Sequence, residues 1–249
     1  MSDPRNDAAD HPADERDPLA DLVSRSIGAR VPSVEVEVLV SGETGERKRL
    51  RFSTASGPSS AIFDRAPRGE TTEAQLLPFL ARKTDRVPAV HSRGIPPAHV
   101  ALGPWILIED VLAGDDACVG DVREIVRAKL AIERVVAKDL PALRALGLKE
   151  VPEELPASLA AAPRALVHGG LRCAAARRVG RGVVLIDWRR AAVGAGVLDA
   201  AMLALELERA GRQSDALAVR DCYVAESGLA DAPELFVVAA RHLRGGAES

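Results

Sequence analysis

Apolar and polar positions along this chain change their period in a readable order. Leu19, Leu22, Val23 and Ile27 recur at helical spacing and stop at Gly28, which predicts a short helix with a glycine cap. Val34, Val36, Val38 and Val40 then alternate with Glu35, Glu37 and Leu39, the period of a strand with one polar face. Lys48 to Thr54 repeats that period, with Leu50 and Phe52 on one face and Arg49 and Arg51 on the other, and Ala61 to Asp64 reads as a third strand. The turns Gly42-Glu43-Thr44-Gly45 and Ser56-Gly57-Pro58-Ser59 are short, so the three strands predict an antiparallel meander.

Thr71-Thr72 followed by Glu73 to Leu80 reads as a helix with Leu76, Leu77 and Leu80 on one stripe and with Pro78 expected to kink it or end its first half. Val87 to Val90 reads as extended, and Val100 to Leu102 and Trp105 to Asp110 as strand, turn and strand, the run up to Glu109 buried on both faces. Gly114-Asp115-Asp116 breaks the pattern. From Val119 to Leu146 the period is helical, closed by Gly147 and Pro152, and short helices are expected over 155–162, 200–210, 216–225 and 233–243. The plan is α+β in two lobes. An N-terminal sheet lobe covers 18–111 and a mainly helical lobe covers 112–244. Polar tails at 1–17 and 245–249 are expected to be disordered or frayed.

Composition narrows the function classes. The chain has 249 residues, 47% hydrophobic, with a net charge of −3 and 3% aromatic residues. Nothing there draws it toward nucleic acid, and paired arginines (Arg177-Arg178, Arg189-Arg190) read as solvated charge. No long uninterrupted apolar run predicts a membrane span, and the acidic N-terminus lacks a secretory pattern. The three cysteines, Cys118, Cys173 and Cys222, are far apart, odd in number and without a C-x-x-C pair. They suggest neither a disulfide framework nor a zinc site, and a reduced, cytoplasmic setting is expected. His11, His91, His99 and His242 belong to no constellation.

The chemistry-bearing stretch is Ala165 to Asp199. An apolar lead-in reaches His168-Gly169, a Gly180-Arg181-Gly182 turn follows, and a buried-looking strand, Val183 to Ile186, delivers Asp187 and Trp188. A short strand ending in a carboxylate after a His-Gly turn suits metal and phosphate chemistry.

Four segments in order resemble the aminoglycoside phosphotransferase and choline kinase-like family, which has a protein-kinase-like fold. They are Gly57 to Asp64 for the third strand, Glu73 to Leu80 for the helix whose Glu pairs the third-strand lysine, Trp105 to Val111 for the hinge that meets adenine, and His168-Gly169-Gly170-Leu171-Arg172 with Ile186-Asp187-Trp188 for the catalytic loop and metal site. Gly194 and Asp199 match the family's G-x-x-x-x-D, whose Asp braces the loop. The resemblance implies ATP and magnesium as cofactors. It also implies nucleotide contacts at Glu73, Glu109 and Val111, a metal carboxylate at Asp187, and structural roles for His168 and Asp199.

The departures fall on the reacting groups. The catalytic base position is Gly170, the loop asparagine position is Ala175 (or Ala174 or Ala176), and the third-strand lysine position is Asp64, which adds a like charge beside Glu73. Arg49, Arg51 or, with a slipped register, Arg65 are the candidate replacement cations. Arg172 is a candidate anion clamp, and Cys173 beside it a candidate reactive thiol. Glu153 and Glu154 are remote candidates for the base. Gly42-x-x-Gly45 reads either as a hairpin turn or as a phosphate-covering loop. Only 36 residues separate Ala131 from His168, which implies a reduced acceptor pocket. The reading favoured is a pseudokinase that serves as a binding or scaffolding subunit for a protein partner in bacterial biosynthesis. An altered ATP-dependent transferase using Asp187 and a relocated arginine, and an unrelated α+β protein, stay open.

Overall fold

The computed structural model describes residues 17–43, 45–70, 72–97, 102–151 and 154–245. The tail expectations for 1–16 and 246–249, and those on Thr71, His99, Val100, Ala101 and Glu153, lie outside them.

Helix α1 (Pro18–Ile27) starts on the Asp17 side chain, which accepts from Leu19 N, and ends at Gly28 with φ 68°. Strands β1 (Val34–Gly42), β2 (Gly45–Thr54) and β3 (Gly57–Arg65) form the antiparallel meander, longer than the sequence marks at the end of β1, the start of β2 and both ends of β3. Helix α2 (Thr72–Ala81), β4 (Val90–Gly94) and β5 (Trp105–Glu109) complete a five-stranded sheet in the order β1-β2-β3-β5-β4. One face, with Leu50, Phe52, Ala61, Phe63 and Leu107, packs against Ala20 and Val23 of α1. The other face carries Arg47, Arg49, Ile62 and Asp64 toward the rest of the chain.

Helix α2 runs through Pro78 without ending there, a correction to the expected break. Proline leaves the carbonyl four residues back without its helical donor. That carbonyl, of Ala74, accepts from Arg93 Nη1 of β4 at 2.9 Å, so a neighbouring strand supplies the missing bond.

Past the hinge come β6 (Asp115–Asp116), a single helical turn (Ala117–Val119), α3 (Arg123–Val136), a further turn (Ala137–Asp139), α4 (Leu140–Ala145), β7 (Lys149–Glu150) and α5 (Ala157–Ala161). The long helical block therefore divides into α3 and α4. Strands β8 (Arg164–Val167), β9 (Ala176–Val179), β10 (Gly182–Leu185) and β11 (Ala192–Ala195) frame the central loop, and α6 (Val197–Arg209), α7 (Gln213–Glu226) and α8 (Ala232–Gly245) pack beneath it. β9 and β10 form a hairpin with β6 on its edge, while β11 pairs antiparallel with β8 and parallel with β7. One apolar core continues from Ile62, Leu76 and Ile106 in the sheet lobe through α3 to Trp188 and Leu203. No described helix is long and apolar enough to cross a membrane.

Candidate functional site

The loop after β8 is built on a buried charge network. Asp199, at the start of α6, accepts from His168 N at 2.6 Å and Gly169 N at 3.0 Å. Lys129 of α3, 3% exposed, holds that carboxylate at 3.0 Å and donates to Glu133 and to Leu166 O. Burial lowers an ammonium pKa, but Glu133 and Asp199 outweigh it and hold Lys129 above its ordinary value. His168 is fully buried. One ring nitrogen, Nε2, lies 2.8 Å from Ile186 O, and Nδ1 has no partner among the described residues. Desolvation lowers its pKa, and the ring packs tilted against Trp188, centroids 4.5 Å apart and planes 51° from parallel. These are packing and positioning contacts. Gly169 has φ 76°, and a Cβ there would lie 2.1 Å from Arg190 O, so the turn requires glycine.

Strand β10 delivers Asp187 in the left-handed region, φ 67°, a conformation Asp tolerates better than most residues. Its carboxylate is half-buried between Arg172 at 3.5 Å and Arg47 at 3.9 Å. The expected metal carboxylate is thus placed between two guanidinium groups. No cluster of three or more potential metal ligands occurs among the described residues. The base position, Gly170, and the buried Ala175 add no ligand. Glu154 lies in the segment before α5 and lines neither cleft cavity.

Asp64, where the family places lysine, is 3% exposed and sits between two arginines. Arg47 Nε donates to its Oδ2 at 2.5 Å, and Arg189 Nη2 donates to its Oδ1. Arg189 Nε also reaches Glu73 Oε2 at 3.4 Å, while Glu73 Oε1 accepts from Trp188 N at 3.0 Å. Burial, with Asp64 adding to it, pushes Glu73 up to about 7 against the opposing pull of Arg47 and Arg189.

Of the arginines on this strand, Arg47 stands beside Asp64, and the expected Arg49 and Arg51 do not. All three lie on one face of β2, but successive same-face residues are roughly 7 Å apart along a strand. Only Arg47 stands directly opposite Asp64. Arg49 binds Asp110 at 2.7 Å and Glu37 at 3.2 Å, and Arg51 binds Glu37 at 2.6 Å. Arg65 turns to Glu46. Arg189 is corrected as well: it is not solvated charge but the second partner of Asp64. No residue-level pattern marks it, since its role depends on the turn after Asp187.

The hinge is internally satisfied. Glu109 forms a two-pronged pair with Arg181 at 2.7 and 2.5 Å, which holds its carboxyl below the usual range. Val111 N donates to Glu109 O at 3.1 Å. Glu73, Glu109, Val111 and Asp187 do converge, together with Arg47, on one cavity of only about 20 Å³. A second, open cleft of about 930 Å³ lies on the other side of Asp187 and is lined by Gly170, Arg172, Arg189, Arg190 and Glu206 among others. The glycines of the Gly42–Gly45 turn pair with each other and close the β1–β2 hairpin. The residues present do not fit a magnesium nucleotide. The cations at its place are neutralised by Asp64, Glu73 and Asp187, and one carboxylate already flanked by arginines is a poor magnesium ligand set.

The cysteines also need correction. Cys118 and Cys173 are joined by a disulfide, with Cα atoms 5.4 Å apart across a sequence separation of 55, while Cys222 is a buried free thiol. Cys173 is therefore not a free nucleophile in this structure. Sequence distance hid the pair, because the fold brings the turn after the hinge against the central loop.

This chain has the two-lobed kinase-like fold of aminoglycoside phosphotransferases and choline kinases. It is similar to the choline kinase of Cryptosporidium parvum Iowa II, at 12% identity and TM-score 0.55, over 83% of this chain and 80% of that one. It is also similar to the amicoumacin kinase hAmiN in complex with AMP-PNP, Ca2+ and Ami, at 10% identity and TM-score 0.52, over 82% and 77%. A thermostable mutant of aminoglycoside phosphotransferase APH(4)-Ia, in complex with AMP-PNP and hygromycin B, matches at 13% identity and TM-score 0.52, over 89% and 88%. No family model matches the sequence, and no curated protein matches it.

Proposed function

We propose that this protein is a pseudokinase: a kinase-like fold that transfers no phosphoryl group and acts by binding a protein partner, in a bacterial biosynthetic setting. The observation that carries the reading is the closed charge network Arg47–Asp64–Arg189–Glu73. Phosphoryl transfer needs a cation free to neutralise the phosphates and a base for the acceptor hydroxyl. Here the two arginines nearest that place are committed to buried carboxylates, and Gly170 offers no base. ATP and hygromycin-like or choline-like acceptors belong to the neighbours and are not carried over. The cytoplasmic location expected from the sequence stays part of this proposal, with the Cys118–Cys173 bond arguing against a uniformly reducing environment.

The test is a thermal shift with millimolar MgATP, since a ligand raises the melting temperature only by binding the folded state. No magnesium-dependent rise is expected. A rise of several degrees that Arg47→Ala or Asp187→Ala abolishes would overturn the reading and support a relocated nucleotide site.

A further inference from the structure

We propose that the Cys118–Cys173 bond is a thiol–disulfide exchange site, entered at Cys173, whose reduction by a dithiol unlatches the loop after His168. The inference does not depend on whether the protein transfers phosphate.

The loop has few anchors of its own. Gly169, Gly170, Ala174, Ala175 and Ala176 offer no polar side chain. Its start is held by Asp199 at His168 N and Gly169 N, and its end by Ala175 O, which accepts from Ile186 N at 2.9 Å. In between, Leu171 is fully buried in the core, while Arg172 is 56% exposed and 3.5 Å from Asp187, and Cys173 N–H donates to Glu206 at 2.7 Å; the stretch beyond Leu171 is the part held from outside. The disulfide is the covalent hold on that middle portion.

The other end of the bond is firmly seated. Cys118 is 1% exposed, its N–H donates to Asp116 Oδ1 at 2.8 Å, and its carbonyl accepts from Arg212 at 2.7 Å. Arg212 is itself paired with Asp215. The bond thus joins a fixed point after the hinge to a loop of small residues. Breaking it leaves Cys118 in place and frees the Cys173 side.

The two sulfurs differ in access. Cys173 is only partly buried and follows the exposed Arg172 in sequence, whereas Cys118 is enclosed. A dithiol reductant attacks Cys173 Sγ. The S–S bond breaks, and its electron pair leaves on Cys118 Sγ, which takes up a proton. The reductant's second thiolate then attacks its own sulfur in the mixed disulfide, and Cys173 departs and is protonated. Two electrons and two protons have moved to the protein, and the reductant leaves as its disulfide. Cys222 does not compete, since burial pushes its thiol up to about 11.

The experiment uses the full chain purified without reductant. Alkylation of the native protein followed by mass spectrometry is expected to leave Cys118 and Cys173 unlabelled, and dithiothreitol is expected to expose both. On reduction, hydrogen exchange over 168–176 should quicken by about tenfold or more, with α6 and α7 unchanged. Cys173→Ser and Cys118→Ser should each show the fast exchange without reductant. Labelling of both cysteines in the untreated protein overturns the proposal. So does exchange that is unmoved by reduction, which would make the bond a passive staple, or exchange that rises throughout the molecule, which would make it a requirement for folding.

Discussion

Arg47 and Asp64 face each other across the β2–β3 ladder, Nε to Oδ2 at 2.5 Å, with the carboxylate 3% exposed. A kinase-like fold usually places a cation on the third strand to meet a helix glutamate. Here the third strand carries the anion, and the cations come from β2 and from the turn after Asp187. Arg189, from the helical lobe, thereby pairs with both Asp64 of β3 and Glu73 of α2 in the sheet lobe.

Removing one partner of this pair should cost more than removing both. Arg47→Met leaves Asp64 buried with Arg189 alone, and the expected loss is about 3 kcal/mol. The combined Arg47→Met and Asp64→Leu replaces the pair by apolar groups of similar size and should retain more stability than either single change. Urea denaturation of the four proteins gives the double-mutant cycle. Strictly additive losses would show that the pair is not coupled.

Glu73 gives the stability a pH dependence of definite sign. Its folded value, about 7, lies above the ordinary 4.5. Between those limits the folded state keeps a proton that the unfolded state has lost, so the contribution is whole below pH 4.5 and declines as pH rises toward 7. The decline is expected to be on the order of 1–3 kcal/mol. Glu73→Gln retains an acceptor for Trp188 N and should flatten this part of the profile in urea titrations between pH 4.5 and 8. An identical slope in the variant would locate the titration elsewhere.

The adjacent glycines of the loop should respond in opposite ways. Gly169→Ala forces a Cβ to 2.1 Å from Arg190 O at positive φ, so a loss of about 3 kcal/mol or failure to fold is expected. At Gly170 a Cβ meets nothing closer than 3.9 Å. Gly170→Ala should stay within about 1 kcal/mol of the parent in thermal or urea unfolding. Equal losses at the two positions would contradict the loop geometry.

Much of the fold was legible because its signals are local. The meander follows from the alternation in Val34–Val40 and Leu50–Phe52, and α1 from its apolar spacing and Gly28. What escaped depends on contacts far apart in sequence. Pro78 should break α2 on local grounds, but Arg93, from another element, accepts the role of donor to Ala74 O. Strand β11, Ala192–Ala195, is three small residues around Val193, too short to show an alternation. At the site, the framework residues His168, Asp187 and Asp199 were readable from their order. The partners Arg47, Arg189 and Lys129 were not, since strand period fixes a face but not which of three arginines meets the anion. The Cys118–Cys173 pairing likewise needed the fold.

Because Gly170 has room for a side chain, the missing base can be restored without disturbing the loop, and that separates two accounts of the site. Gly170→Asp should fold normally and still turn over no ATP, because Arg47 and Arg189 remain committed to Asp64 and Glu73, and Ala175 still offers no ligand. Adding Asp64→Lys brings a third cation between Arg47 and Arg189 in a buried position, so the double variant should be less stable by about 3 kcal/mol and no more active. ADP release measured with and without magnesium, beside a melting curve for each variant, checks both expectations. Turnover in Gly170→Asp alone would mean that the cleft binds nucleotide after all and that the base was the one group missing.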